Sequence, residues 1–142
     1  MGSREQFLID TSAAARLPRS PALLAAWGYE LSAGLIGMCW PTEDELLYSA
    51  RSGAELRSMA TQFSALYTWW TLPEDAGRRV AELRTALGDA GCHRSAGTVD
   101  LLVAVTAMHH GLTVLHYDRD FETLAEHSEL KTRWLAEPGT VA

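Results

Sequence analysis

The chain has 142 residues, of which 47% are hydrophobic and 21% are charged, a composition typical of soluble globular proteins. This length allows one substantial core, so we expect residues 1–142 to form a single domain. No stretch approaches the ~20 apolar residues that span a bilayer, and no signal-peptide hydrophobic segment precedes Phe7. These features argue against a membrane protein, and we expect a cytoplasmic one.

The net charge of −6 argues against a nucleic-acid binder, because contact with phosphates favours a basic surface. Two features weaken this objection. A cluster of acids around a metal ion would account for part of the negative charge. In addition, eleven of the twelve basic residues are arginine, whose planar guanidinium binds phosphate well, although a GC-rich genome would produce the same bias.

Cysteine and histidine spacing gives no sign of a zinc site. Cys39 and Cys92 are far apart and form no CxxC pair, which favours reduced thiols over a disulfide. Cys39 lies in an apolar run and is predicted to be buried. His109 and His110 are adjacent on a predicted helix, so their side chains point about 100° apart and do not converge on one ion.

The first half of the chain alternates short apolar runs with helical patterns. Proline and glycine mark the boundaries, with Ser20 and Pro21 predicted as a helix N-cap and first helical position. The predicted elements are a strand at Phe7–Asp10, helices at Thr11–Leu17 and Ala22–Leu31, a buried strand at Leu35–Cys39, helices at Thr42–Ser49 and Ala54–Leu66, and either a helix end or a short strand at Tyr67–Trp70.

The second half continues the same alternation. The predicted elements are an amphipathic helix at Pro73–Leu87, a loop from Gly88 to Gly97, an apolar helix at Val99–His110 closed by Gly111, a strand at Thr113–Tyr117, a helix at Phe121–His127 and a last strand at Thr132–Leu135. Such alternation predicts an α/β fold in which a central, mostly parallel sheet is flanked by helices in three layers.

Acidic residues follow the first and the penultimate predicted strands. Asp10 ends the first, and Asp118 and Asp120 follow the fourth. In open parallel sheets, ligands bind outside the carboxyl ends of the strands, so these acids are expected to lie near each other. Glu45 and Asp100 stand at predicted helix starts. If these acids converge, their repulsion requires a divalent cation, which indicates a metal-dependent enzyme.

Each acid also has a purely local explanation. Asp10 is a suitable helix N-cap, and Asp118 suits an Asx-type turn. A helix dipole stabilises a first-turn acid such as Asp100 by roughly 0.3–1 kcal/mol. Glu45 forms a potential capping box with Thr42 in the pattern Thr-x-x-Glu. The functional interpretation therefore depends on the whole set of acids and their order.

Four segments of the chain resemble, in order, those of PIN-domain nucleases, and more narrowly the VapC toxins of bacterial type II toxin–antitoxin pairs. The segments are 7–13 (FLIDTSA), 45–51 (ELLYSAR), 93–104 (HRS through DLLVA) and 115–121 (LHYDRDF). The ending at 133–140 also looks like actinobacterial members, whereas residues 54–91 are similar only in length and helical character. Of the acids at 43–45, we choose Glu45 from its spacing to Tyr48. His116 stands where many PIN domains have Thr or Ser.

The resemblance implies hydrolysis of RNA phosphodiester bonds with Mg²⁺ or Mn²⁺ as the cofactor. It implies that Asp10, Glu45, Asp100 and Asp118 are catalytic, and that Asp10, Asp100, Asp118 and Asp120 contact the metal. Asp10 and Asp100 would be the primary ligands. Glu45 and Asp118 would position the attacking water, and either is a candidate general base.

The resemblance also implies an RNA substrate, a cognate antitoxin protein and a homodimer, with no membrane. Arg16, Arg51 and Arg94 are candidates for phosphate contact. Trp69 and Trp70 either pack between subunits or against an antitoxin, or belong to the core.

Other functional classes remain open at the level of sequence. A PIN-like nuclease that is not a toxin would carry the same acids. Asp118-x-Asp120 after a strand is similar to haloacid-dehalogenase phosphatases, and Asp10 after a strand is similar to phosphoacceptor receiver domains. Both of these classes need a well-placed lysine, and Lys131 is poorly placed. A non-enzymatic binding module, with the acids as helix caps, is a further alternative.

Overall fold

Five parallel strands form one sheet in the computed structural model, which describes residues 4–142. The strands are β1 (Phe7–Ile9), β2 (Ile36–Met38), β3 (Thr68–Trp69), β4 (Thr113–His116) and β5 (Lys131–Trp134). Their order across the sheet is β3-β2-β1-β4-β5, and every neighbouring pair is parallel. Residues 1–3, part of the segment in which no signal peptide is expected, lie outside the described residues.

Helices cover both faces of this sheet. Within residues 4–142 they are α1 (Thr11–Ala14), α2 (Pro21–Ala26), α3 (Gly28–Ser32), α4 (Trp40–Tyr48), α5 (Gly53–Leu66), α6 (Ala76–Asp89), α7 (Thr98–His110) and α8 (Arg119–Glu126), with a 3₁₀ turn at Leu17–Arg19. None of these helices has both the length and the apolar character needed to cross a membrane.

Alternate side chains of the central strands enter two separate cores. Leu8 and Val114 pack with residues of α6 and α7 on one face. Phe7, Ile9 and Leu115 pack on the other face with residues of α1, α2 and α5. Because both faces of the sheet are covered at its centre, β1 and β2 are apolar and buried throughout, whereas the edge strands β3 and β5 contain exposed residues. The predicted three-layer α/β architecture is confirmed.

Two helices predicted in the first third of the chain are interrupted. The predicted helix Thr11–Leu17 ends early, and the chain continues into the 3₁₀ turn Leu17–Arg19, which contains a proline. The predicted helix Ala22–Leu31 is divided at Trp27 into α2 and α3. The Trp27 ring is buried, and its indole N–H donates to the carbonyl of Leu135 at 2.9 Å. This tertiary contact accompanies the break in the helical pattern.

Helix α4 begins at Trp40, not at the predicted Thr42, with Cys39 as its N-cap. Pro41 occupies the first turn, where a missing backbone N–H is tolerated. The predicted capping box of Thr42 with Glu45 is therefore wrong, because both residues lie inside the helix. The Trp40 side chain, at the first position of the helix, is 58% exposed.

The ambiguous segment Tyr67–Trp70 contains β3, the short edge strand of the sheet. Trp69 is exposed, whereas Trp70 packs against the core and its ring lies 4.9 Å from that of His110. Gly37 of β2 allows this approach, because a Cβ atom at that position would lie 2.4 Å from the Trp70 indole. Trp70 thus belongs to the core, while Trp69 faces solvent.

Helix α6 begins three residues later than predicted, at Ala76, and ends two residues later, at Asp89. The remaining helices and strands begin and end within two residues of their predicted bounds. Gly111 closes α7 with a left-handed φ of 71°, a conformation that glycine adopts without steric cost. Both cysteines are free thiols, and Cys39 is buried as predicted.

The positions of β1 and β4 bring two chain turns to one edge of the sheet. The strands are direct neighbours, with Ile9 aligned to Leu115. The backbone N–H of Asp10 donates to the Leu115 carbonyl at 3.0 Å. Parallel strands place their carboxyl ends on the same side, so the residues that follow β1 and β4 meet there.

Candidate active site

Asp10 is a buried carboxylate at the end of β1 and the N-cap of α1. Its Oδ1 accepts the backbone N–H of Ala13 at 2.9 Å, and the Ser12 hydroxyl lies 2.8 Å from Oδ1 and 2.7 Å from Oδ2. Asp10 is only 3% exposed. Burial raises the pKa of Asp10 to about 7, although these hydrogen bonds act to lower it. The charge of Asp100 adds a smaller increase. A group with this environment is costly to ionise unless a cation is nearby.

Asp100 lies in the first turn of α7, as predicted, and caps that helix. Its Oδ2 accepts the backbone N–H of Gly97 at 3.2 Å. Burial raises the pKa of Asp100 to about 6, and the charges of Asp118, Glu45 and Asp120 each add to the increase. Asp100 therefore lies within the electrostatic field of the other three acids.

Glu45 reaches the same edge of the sheet from α4. Its Oε1 accepts the hydroxyl of Thr11 at 2.5 Å, which joins α4 to the start of α1. This contact, together with its effect on Asp100, places Glu45 at the site among the three acids at 43–45.

Asp118 caps α8 and organises the turn that follows β4. Its Oδ1 accepts the backbone N–H of Asp120 at 2.9 Å. Burial raises the pKa of Asp120, and the neighbouring Asp118 charge raises it further. The two acids predicted from the Asp-x-Asp pattern therefore interact directly through this turn.

A hydroxyl group connects the turn after β1 with the turn after β4. Ser12 donates to the Asp10 carboxylate and accepts the backbone N–H of Tyr117 at 2.9 Å. Arg16 lies beside this connection. Its guanidinium donates to the Ser12 carbonyl at 2.8 Å and lies 4.8 Å from the Tyr117 ring centre.

His116 is fully buried behind Asp118 and is part of a network that the sequence did not indicate. Its Nε2 lies 2.8 Å from Glu122 Oε2, which also accepts the Thr132 hydroxyl at 2.7 Å. Burial lowers the pKa of His116, against the opposing effect of Glu122. Thr132 reaches Glu122, and through it the imidazole, because α8 packs on β5, a contact that has no signature in residue spacing.

The acids have no basic partners among residues 4–142. Ion pairs in this range join Arg51 to Glu55, Asp75 to Arg78 and Arg79, Arg78 to Glu82, His116 to Glu122, and Glu5 to Arg133. None involves the five carboxylates of the site, so their mutual repulsion is not offset by an arginine, lysine or histidine.

The ligand atoms at this edge suit a hard divalent cation. In the described part of the chain, no three acidic, histidine or cysteine side chains already form a ready set of metal ligands. Mg²⁺ retains several waters and is commonly held by only one or two carboxylates. The oxygen-only character of the cluster and the raised pKa values of Asp10 and Asp100 fit such an ion.

Sequence comparisons identify the family of this chain. A model of the PIN domain matches residues 7–127. The chain belongs to the PIN-domain family. This PIN domain is 36% identical to Ribonuclease VapC21 of Mycobacterium tuberculosis over 135 residues, which cover 95% of the chain and 97% of the relative. It is also 36% identical to Ribonuclease VapC2 of the same species, with 92% and 93% covered.

Solved structures show the same fold at lower sequence identity. The PIN domain matches VapBC2 from Rickettsia felis bound to a promoter DNA fragment with a TM-score of 0.75, at 16% identity, covering 90% of the chain and 97% of that structure's chain. DNA-bound VapBC from Salmonella typhimurium gives a TM-score of 0.73 at 19% identity, with 94% and 100% covered. The resemblance to this family stated from the motifs is confirmed, and the phosphatase and receiver alternatives are excluded.

The arginines predicted to contact phosphate occupy three different environments in the PIN domain. Arg16 lies at the site, next to Ser12 and Tyr117. Arg51 is exposed and pairs with Glu55 at 3.5 Å. Arg94 is exposed in the loop before α7. Arg16 is therefore the one of the three with a direct contact to a turn of the site.

Proposed function

We propose that this PIN domain is a metal-dependent endoribonuclease and the toxin of a toxin–antitoxin pair. Relatives that align over nearly its full length are named as ribonucleases. The observation that carries the proposal is that the charges of Asp118, Glu45 and Asp120 act on Asp100, and that of Asp100 acts on Asp10, while none of these acids has a basic ion-pair partner among residues 4–142. If each acid served only as a helix cap, these acids would have no reason to lie near each other.

Asp10 and Asp100 are proposed to hold Mg²⁺ or Mn²⁺, with further contacts from Asp118 and Asp120. The chemistry that such a cation supplies when bound is charge neutralisation at the phosphoryl oxygens and a lower pKa for water. Asp10 is oriented for this role by Ser12 and the Ala13 amide.

Glu45 and Asp118 are proposed to orient the water that attacks the phosphodiester. Both are carboxylates with an unshared oxygen: Glu45 uses Oε1 to accept from Thr11, and Asp118 uses Oδ1 to accept from Asp120. The second oxygen of either group is a candidate acceptor for the proton that the water loses as its oxygen bonds to phosphorus. The leaving RNA oxygen takes a proton from solvent.

The decisive experiment measures RNA cleavage by the wild type and by Asp100→Asn, with Mn²⁺ or with EDTA. We expect the variant and the EDTA sample to be inactive, because a ligand or the cation is missing. Asp89→Asn, an exposed change at the end of α6, is the matched control and should cleave normally. Full cleavage in EDTA, or by Asp100→Asn, would overturn the proposal.

A cation-binding measurement separates the enzyme from a non-enzymatic module. Mn²⁺ should raise the unfolding temperature of the wild type and of Asp89→Asn, and much less that of Asp100→Asn. An equal response in all three proteins would show that these acids do not bind the ion.

A groove next to the site is proposed to receive the antitoxin. It has a volume of about 490 Å³ and lies between α1, α4 and α5, with apolar residues, two arginines and the acid Glu55 on its walls. These include Ala14, Leu46, Met59, Phe63 and Arg51. The structural relatives are toxin–antitoxin complexes, and an amphipathic segment with acidic flanks would complement these walls.

A pair of substitutions on α5 tests this groove in cells. Met59→Glu should leave RNA cleavage intact but prevent rescue of growth by the antitoxin, whereas Thr61→Glu on the exposed face of the same helix should still be rescued. If the wild type is harmless without its antitoxin, the toxin role fails while the nuclease role stands.

A homodimer acting on cytoplasmic RNA completes the proposal. Trp40 is 58% and Tyr48 81% exposed, and they flank a groove of about 290 Å³ that also includes Val99 and Leu102. Exposed apolar surface of this kind is typical of protein contacts. Sedimentation equilibrium should show a dimer for the wild type and a monomer for Tyr48→Glu; a monomeric wild type would contradict it.

A further inference from the structure

His116, the last residue of β4, has contacts through its backbone and through its ring. Its carbonyl accepts the backbone N–H of Leu135, directly after β5, at 2.7 Å. Its ring contacts two aromatic rings, with centre distances of 5.4 Å to Phe121, which is stacked, and 4.7 Å to Trp134, which is tilted. The side chain is fully buried, so these contacts restrict its orientation.

The hydrogen bonds of the imidazole permit only one tautomer. The backbone N–H of Asp118 donates to Nδ1 at 3.2 Å, which requires that Nδ1 carries no proton. The proton of a neutral ring is then on Nε2, which donates to Glu122 Oε2. The same oxygen accepts the Thr132 hydroxyl. Thr132, Glu122 and His116 thus form a chain of hydrogen bonds that ends on the amide of Asp118.

We propose that this chain, which we call the His116 relay, is a positioning device for the Asp118 carboxylate. The inference rests on the proposed function, which gives Asp118 its task. Asp118 leaves the sheet at the point where its amide has no strand partner, and the imidazole supplies that partner. The Asp118 Oδ1 then caps α8 through Asp120, and the carboxylate lies close enough to Asp100 for its charge to raise the pKa of that acid.

The proposal explains why a buried histidine stands two residues before an essential acid. A short side chain at position 116 could not reach both the Asp118 amide and Glu122. The imidazole spans the two, and its two nitrogens have opposite hydrogen-bonding roles. Fixing the ring therefore fixes the backbone of Asp118 relative to β5 and α8.

Two amide substitutions of similar size separate positioning from packing. His116→Asn places an acceptor where Nδ1 was and preserves the bond to the Asp118 amide, whereas His116→Gln places its polar group near Nε2 and preserves only the contact with Glu122. Both variants lose the ring and its aromatic packing. We expect similar losses of unfolding temperature, but a kcat for RNA cleavage about tenfold lower in His116→Gln than in His116→Asn, the scale seen when a group behind a metal ligand is removed. KM should be similar.

Two measurements that do not depend on activity complete the test. Nitrogen NMR of the wild type should show an unprotonated Nδ1 and a protonated Nε2. Hydrogen exchange at the Asp118 amide should be faster in His116→Gln than in His116→Asn. A protonated Nδ1, or equal kcat and equal exchange in the two variants, would overturn the relay. If the wild type cleaves no RNA, the proposed function fails, and the tautomer and the exchange rates alone decide whether the relay positions Asp118.

Discussion

The turns after β1 and β4 use the same design in different surroundings. In each, an apolar strand ends, an aspartate caps a short helix, and the carboxylate accepts a backbone N–H from that helix. Asp10 is buried and its carboxylate is held within its own turn by Ser12 and Ala13. Asp118 is more exposed, and its backbone is held from behind by His116. The support of Asp10 lies within its own turn, whereas the residue behind Asp118 is in turn bonded to Glu122 of α8, which also accepts from Thr132 of β5.

This difference indicates a division of labour between the two aspartates. A carboxylate with a pKa raised to about 7 by burial gains most from a cation, so Asp10 is suited to hold one. Asp118, which is nearer to solvent, is suited to orient water. Substitutions in the two turns should therefore have unequal effects.

The largest expected effect is on catalysis by Asp10→Asn. Cleavage should fall by about 1,000-fold, the scale lost when a group that stabilises transition-state charge is removed. Asp118→Asn should lose less, about 10- to 100-fold. Rates measured with one short RNA at saturating Mn²⁺ give the ratio, and circular dichroism checks that both variants are folded. Equal losses would contradict the division of labour.

The next largest effect is expected in the pH dependence of stability, to which the buried Asp10 contributes. Between about pH 4 and 7, the folded protein retains a proton on Asp10 that the unfolded chain has lost, so the free energy of unfolding falls as pH rises. About three pKa units correspond to a decrease on the order of 4 kcal/mol. Denaturant unfolding in EDTA at pH 5 and pH 8 should show a smaller decrease for Asp10→Asn than for the wild type.

The control for that experiment is Asp89→Asn, which removes one exposed negative charge and should follow the wild type. Mn²⁺ should reverse part of the loss at pH 8 in the wild type. A decrease of the same size in Asp10→Asn would show that burial of Asp10 is not its cause.

Removing the hydroxyl that joins the two turns should have an intermediate effect. Ser12→Ala leaves the Tyr117 amide without its acceptor and Asp10 without one donor, at a cost of about 1–3 kcal/mol in stability. We expect about a tenfold loss of cleavage rate. Ser20→Ala removes the N-cap of α2, costs about 1 kcal/mol, and should leave cleavage unchanged. Similar rates in the two variants would indicate that the turns act independently.

The smallest effect is expected at Thr11. Thr11→Val keeps the side-chain shape but removes the donor to Glu45, which is worth about 1 kcal/mol. A loss of a few-fold in kcat should result, because Glu45 is then less well oriented. Thr61→Val on the exposed face of α5 is the control, and a rate indistinguishable from this control would remove Thr11 from the site.

The two turns also show what the sequence does and does not predict. Asp10 and Asp118 were identified because each follows an apolar strand, and Asp100 because it begins an apolar helix. These are local patterns. The start of α4 was predicted two residues late, because the Thr42 capping box competes with Pro41 and only the folded chain shows which one sets the first turn.

Contacts between distant segments were beyond the reach of residue spacing. The His116 relay needs the register that aligns β4 with β5 and the return of α8 over that pair. The sequence therefore predicts where the acids lie, whereas the residues that hydrogen-bond to and orient them are visible only in the folded structure.

Gly37 allows close packing at the edge of the sheet that ends with β3. Because a side chain there would occupy the space of the Trp70 indole, one methyl group would displace that ring from its place beside His110. Strand β3 has two residues and ends directly before Trp70. Among the described strands it pairs with β2 alone. A side chain at position 37 would therefore disturb both the indole that follows β3 and the Thr68 hydroxyl within it.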